Sequence, residues 1–115
     1  MKKDCLVYLK HILDAIHRIE KYTERIDYMD FMENNLVQAG VIREMKIIGE
    51  ATKRLSDEFK GKYAGIPWRK IAGMRDKLIH DYMGVDMDAV WNVVERDMPQ
   101  LREKVKGIFT EEEGR

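Results

Sequence analysis

Cysteine is almost absent from this sequence: one residue, Cys5, stands in 115. A lone thiol closes no internal disulfide and begins no cysteine-based zinc motif, so stapled and zinc-ribbon folds drop out. Proline is nearly as scarce, with two residues, and eight glycines are too few for a low-complexity or collagen-like chain. No run approaches the roughly 20 consecutive apolar residues of a membrane helix. After Met1-Lys2-Lys3 the apolar positions are broken by Lys10, His11 and Asp14, so no signal-peptide core follows and a cytoplasmic location is expected. Net charge is also missing, with 21 basic against 21 acidic side chains, which removes any long-range pull of the whole molecule on nucleic acid. Finally, no segment alternates with period two for long enough to read as a strand.

What is present is helical patterning over a hydrophobic content of 44% and a charged content of 37%, enough for one core and its coat. Leu6, Leu9, Leu13, Ile16 and Ile19, with Ile12 beside them, give three-and-four spacing and predict a helix over 4–22. Thr23 reads as a new N-cap leading to a short helix at 27–33, and Asn34-Asn35 is the next break. Leu36, Val37, Val41, Met45, Ile48, Thr52, Leu55 and Phe59 then predict one long central helix ending near Gly61. Gly40 and Gly49 inside it, each costing roughly 1 kcal/mol against Ala, imply a close approach by another helix or a ligand. Pro67 suits a helix start, for a segment running from Trp68 to about Tyr82; Asp86 caps the next, and Pro99 opens the turns carrying Leu101, Val105 and Ile108. The expected fold is all-α, an up-and-down bundle of four main helices with short pieces, as one domain over 1–109 followed by an acidic flexible tail at 110–115.

Charge is uneven along the chain: residues 40–82 hold 10 basic and 6 acidic side chains, so an anionic ligand is expected to meet the middle segment. That segment contains Arg75-Asp76-Lys77-Leu78-Ile79-His80-Asp81-Tyr82. On an ideal helix Asp76 and His80 stand at i and i+4, where the carboxylate fixes the imidazole tautomer and leaves one ring nitrogen for proton transfer. Tyr82 falls nearly above Arg75, a permanent cation with a fork of donors suited to phosphate. Arg75 and His80, five apart, diverge by about 140° round such a helix and do not easily converge within one chain. From spacing alone a surface Asp/His pair is the commoner case, and Tyr82 reads as a packing residue. His11 and His17, about 120° away from sharing a face, read as exposed or interfacial and not as a metal pair. Trp68 and Trp91 read as packing between helices, and the eight methionines as core and interface filler.

The string Arg75, four residues, His80, one residue, Tyr82 resembles the R-x4-H-x-Y signature of HepT-type toxins in the HEPN superfamily. The likeness extends through Cys5-Leu-Val-Tyr-Leu-Lys-His-Ile-Leu-Asp-Ala-Ile of the first helix, Val41-Ile42-Arg43 with Ile47-Ile48-Gly49-Glu50-Ala51, Ile66-Pro67-Trp68 with Gly73-Met74-Arg75, and Val85-Asp86 with Val90-Trp91. It covers about residues 4–105 in order. The resemblance implies a helical homodimer with a composite site in which Arg75 and His80 of both protomers meet across a cleft. It also implies metal-independent cleavage of RNA by the ribose 2′-OH, with no cofactor and no action on DNA, which lacks that hydroxyl. His80 would transfer the proton and Arg75 hold the phosphorane charge, with Asp76 in support. Glu50 would orient a basic side chain. The implied partner is an MNT-type nucleotidyltransferase antitoxin that AMPylates Tyr82. A catalytically silent HEPN module that only binds such a partner is the alternative.

Overall fold

Helix α1 (Lys2–Tyr22) forms on an apolar seam of Cys5, Leu9, Ile12, Ile16 and Ile19, all buried. This seam is rotated slightly from the expected stripe, and Leu6 and Leu13 flank it half-buried. The computed structural model describes residues 2–74, 76, 79–80 and 84–115, with backbone alone at 2–3, 79–80 and 85. Thr23 does not cap the following helix. Its hydroxyl donates to the Ile19 carbonyl at 2.8 Å and closes α1. The cap of α2 (Tyr28–Glu33) is Asp27, which accepts from the Asp30 amide at 2.9 Å while its own amide donates to the Asp30 carboxylate at 3.1 Å.

Asn34 caps α3 (Asn35–Arg54) by accepting from the Val37 amide at 3.0 Å. The expected single helix to Gly61 is in fact two, because Leu55 leaves helical conformation and the Ser56 hydroxyl accepts from the Phe59 amide at 3.1 Å to start α4 (Asp57–Lys62). Val41, Met45, Ile48 and Ala51 of α3 are buried in the same core as the α1 seam. The loop that follows is tied down by Trp68, whose indole N–H donates to the carbonyls of Lys60 at 3.1 Å and Tyr63 at 3.0 Å. Both tryptophans pack as expected: Trp68 is buried beside Phe59, and Trp91 lies against the Phe31 ring with centroids 5.0 Å apart.

Helix α5 (Trp68–Ala72) is one and a half turns long, with Gly73 as its C-cap. The expected continuous helix to Tyr82 is therefore corrected. Ile79–His80 is extended (β1) and pairs antiparallel with Gly84–Val85 (β2), Ile79 opposite Val85 and His80 opposite Gly84. Gly84 has φ of 84°, a left-handed conformation that glycine enters without a Cβ penalty. Two residues per strand is too short for any alternation to register in the sequence.

Asp86 caps α6 (Met87–Asn92), accepting from the Ala89 amide at 3.1 Å. Helical conformation then continues through a π-helical turn, Val93–Asp97, into α7 (Met98–Glu113). In that turn the Met98 amide reaches back five residues to the Val93 carbonyl. Pro99 follows at once, at the start of α7 as its sequence position suggests; it has no N–H to give an α-helical turn. Leu101, Val105 and Ile108 join the core, and α7 packs on α1. The fold is an all-α bundle. The acidic end is not a flexible tail from residue 110: α7 runs to Glu113, and Glu112 is only 6% exposed, because it continues the buried i, i+4 row of α7 and meets Lys62 at 2.8 Å and the Tyr63 hydroxyl.

Candidate active site

The close approach expected at Gly49 is made by α5. A Cβ at Gly49 would stand 3.0 Å from the Ala72 carbonyl oxygen, so the missing side chain is what lets the last residue of α5 dock on α3. Gly40 makes the corresponding allowance for the Tyr22 ring, 3.1 Å from where its Cβ would be. From the docked end of α5 the chain passes through Gly73 and buried Met74 to the segment 75–82. Beyond it, β2 and Asp86 lead into α6, which is held by the Phe31–Trp91 contact and by a hydrogen bond from the Tyr28 hydroxyl to Asp88. The candidate segment is thus attached to the bundle on both sides.

Of the four residues singled out from sequence, Arg75 and Tyr82 lie outside the described residues. Asp76 is exposed. His80 is described by its backbone, paired with Gly84 in the β1–β2 ladder. Because Ile79–His80 is extended, the ideal-helix relations do not apply: neither the i, i+4 line from Asp76 to His80, nor the stacking of Tyr82 above Arg75, nor the angle of about 140° between Arg75 and His80 can be carried across.

The surroundings carry positive charge. Lys46 and Lys53 lie on one line of α3, a helical seven apart, and Gly49 stands between them; Arg69 and Lys70 lie on α5. All four are exposed, and among the described residues none makes an ion pair. Glu50 is exposed on the same side of α3 and has no ion-pair partner among the described residues. His11 and His17 are exposed on α1, and no group of three His, Cys, Asp or Glu among the described residues is placed to hold a metal ion. No described helix is long and apolar enough to cross a membrane.

Two buried polar clusters were not legible beforehand. Glu44, completely buried between α1 and α3, accepts from Arg18 Nε at 2.7 Å and from the Tyr22 hydroxyl at 3.4 Å. That hydrogen bond raises the Arg18 pKa further above its already high value. At the other cluster the hydrogen bonds from Lys62 and Tyr63 hold Glu112 below the usual carboxylate range. Burial, aided by Glu112 and Glu111, pushes the Tyr63 hydroxyl up to about 12. Burial and the nearby Glu112 push the Cys5 thiol up to about 11. The available signal was register: Glu44 and Glu112 both fall on the apolar rows of their helices.

A family model described as "Ribonuclease HepT-like" matches residues 12–108, a span containing every element from the body of α1 to the core of α7 and the whole R-x4-H-x-Y string. The chain belongs to the HepT-like ribonuclease family. A HepT-like relative in Thermococcus cleftensis, named "Probable ribonuclease HepT", is 45% identical over 94% of this chain and 98% of its own length. In Caldanaerobacter subterraneus a protein named "Putative RNase" is 39% identical over 91% of this chain and 94% of its own. A Methanocaldococcus jannaschii protein named "Gamma-glutamylcyclotransferase and putative RNase" is 47% identical over 96% of this chain, which spans 50% of that longer protein. No solved structure matches the HepT-like chain significantly.

Proposed function

We propose that this chain is a HEPN endoribonuclease that cleaves RNA in the cytoplasm without a metal ion, as the toxin of a toxin–antitoxin pair. The observation that carries the reading is the HepT-like match over 12–108, and the resemblance of the Arg75, His80 and Tyr82 string to R-x4-H-x-Y supports it. In this reading His80 takes the proton of a ribose 2′-OH, and O2′ attacks the adjacent phosphorus. The P–O5′ bond breaks, leaving a 2′,3′-cyclic phosphate, and a protonated imidazole returns a proton to the departing 5′-oxygen. Arg75 holds the charge of the five-coordinate phosphorane, and Asp76 supports the pair. The site is composite, shared by two protomers of a homodimer. Lys46, Lys53, Arg69 and Lys70 attract the RNA backbone beside it. Control comes from an MNT-type nucleotidyltransferase antitoxin that transfers AMP to the Tyr82 hydroxyl, adding a bulky anionic group within the R-x4-H-x-Y string.

The test is cleavage of purified RNA in excess chelator by wild type, Arg75→Ala and His80→Ala. Cyclic-phosphate ends are expected from wild type, with a loss of at least about a hundredfold in both variants. Dependence on added magnesium, or full activity in His80→Ala, overturns the mechanism. Tyr82→Phe should cleave RNA yet resist silencing by the nucleotidyltransferase with ATP. A monomer that cleaves as fast as the bulk protein overturns the composite site. A dimer that binds the nucleotidyltransferase but never cleaves RNA establishes the silent binding module instead.

A further inference from the structure

A cavity of about 280 Å³ opens between α5 and the helix formed by the π-turn and α7. Its walls are apolar: Ile71 and Met74 on one side, Met98 and Leu101 on the other. Its polar groups are few: Lys70 and Lys104, the carboxylate of Asp97 and the amide of Gln100. Apolar walls with a few convergent polar groups are the pattern of a small-ligand site. The π-turn is a second, independent observation at the same place, since Val93 and Asp97, its two ends, both line the cavity. Turns of this kind inside α-helices are frequent at functional sites. The third is position along the chain: Met74 is the residue before Arg75.

We infer that this cavity is a base-binding subsite, holding one unpaired nucleobase of the RNA next to the cleaved linkage. The inference rests on the ribonuclease reading for the identity of the ligand. A flat heteroaromatic ring suits a slot walled by two thioethers and two branched aliphatic chains, because polarizable sulfur packs well on ring faces and edges. Lys70 and Lys104, both exposed and neither in an ion pair among the described residues, supply charge for the phosphates on either side of that base. Asp97 is acceptor-only, so it favours a base edge that offers N–H donors, and the Gln100 amide can donate or accept beside it. Two cations against one carboxylate leave the cavity mouth net positive, which suits a nucleic acid better than an acidic-poor apolar peptide.

The experiment uses RNA hexamers that are 2′-O-methylated throughout, so that they bind without being cut, and compares each with versions carrying one abasic position. Wild type is expected to lose at least about tenfold in affinity for the hexamer when one particular position is abasic. Methyl signals of Met74 and Met98 should shift with the intact hexamer and not with that abasic one. Lys70→Glu/Lys104→Glu should weaken binding about tenfold or more and flatten its salt dependence by one to two units of slope, roughly one per phosphate contact. Asp97→Asn should keep binding while changing which base is preferred at the sensitive position. The subsite is overturned if every abasic hexamer binds as tightly as the intact one, or if the methionine methyls do not respond. It is also overturned if Gln100→Trp, which caps the cavity from its exposed edge, alters self-association and leaves hexamer binding untouched; the groove is then a protein interface. Cleavage without base-sensitive binding removes the subsite and keeps the ribonuclease. Base-sensitive binding without cleavage does the reverse.

Discussion

Charge is used differently in two parts of this molecule. Around the α1–α3–α7 core, cations are answered by carboxylates from another helix: Arg18 by Glu44, Arg102 by Glu20 and Lys62 by Glu112. Along α5 and the neighbouring line of α3, Lys46, Lys53, Arg69 and Lys70 stand exposed without such an answer among the described residues. The first set fixes how helices face one another, since each carboxylate must find its partner at a given height along the bundle. The second set contributes little to folding, because exposed lysines and arginines are solvated whether or not the chain is folded. The difference separates residues whose loss unfolds the protein from residues whose loss disarms it, and four expected effects sharpen that line.

The largest effect is expected at Arg18. Glu44 is completely buried, and removing Arg18 leaves it with only the Tyr22 hydroxyl at 3.4 Å, so Arg18→Ala should cost about 3–5 kcal/mol in urea denaturation. Glu44→Gln should cost less, because the remaining Arg18 side chain is 44% exposed and can be solvated. Equal and small losses in the two variants would erase the contrast with α5. Next comes Gly49→Ala, which sets a methyl 3.0 Å from a backbone carbonyl and forces α5 away from α3, for about 1–3 kcal/mol. RNA cleavage should fall further than stability does, because the displaced element leads directly into Arg75.

A third effect is graded by pH. Cys5 keeps its proton to about pH 11 in the fold, whereas the unfolded chain gives it up near about 8.5. The unfolded state therefore binds fewer protons across that window, and stability should decline as pH rises through it. Tyr63, held up to about 12, extends the decline above its ordinary value of about 10. Cys5→Ala should flatten the slope between about pH 8.5 and 11 in thermal melts; an unchanged slope assigns the alkaline loss elsewhere. The smallest effect on folding is expected from Lys53→Glu/Arg69→Glu, within about 0.5 kcal/mol per site, although RNA affinity should drop and its salt dependence weaken. A large loss of stability there would show that α5's charges are structural after all.

The scaffold was largely legible in the sequence because long apolar rows specify long helices, as in α1 and the first five turns of α3. Where the chain breaks without breaking the row, reading failed. Leu55 and Phe59 keep helical spacing across the Ser56 cap, and only the acidic pair Asp57-Glu58 marks a new first turn there. The segment after α5 failed for the opposite reason: Gly73 was a stop signal, but the following residues keep good helical composition while two of them pair as extended chain with Gly84–Val85. Glu112 was misjudged because a run of three glutamates is ordinarily solvated, and only the partners Lys62 and Tyr63, some fifty positions away, make its burial favourable. The candidate site itself rested on its signature string and not on geometry.

The π-turn also sets the phase of everything after it. Val90 and Val94 are buried on the α6 side of the turn and within it, and Met98, Leu101, Val105 and Ile108 continue the buried row beyond it. Each residue of a wider turn sweeps a smaller angle than in an α-helix, so the turn fixes how the α7 row is aimed relative to α6. Residue number between Val93 and Asp97 is therefore an angular setting: deleting one residue there would rotate all of α7 by about 100° relative to α6 and turn its apolar row from α1 toward water.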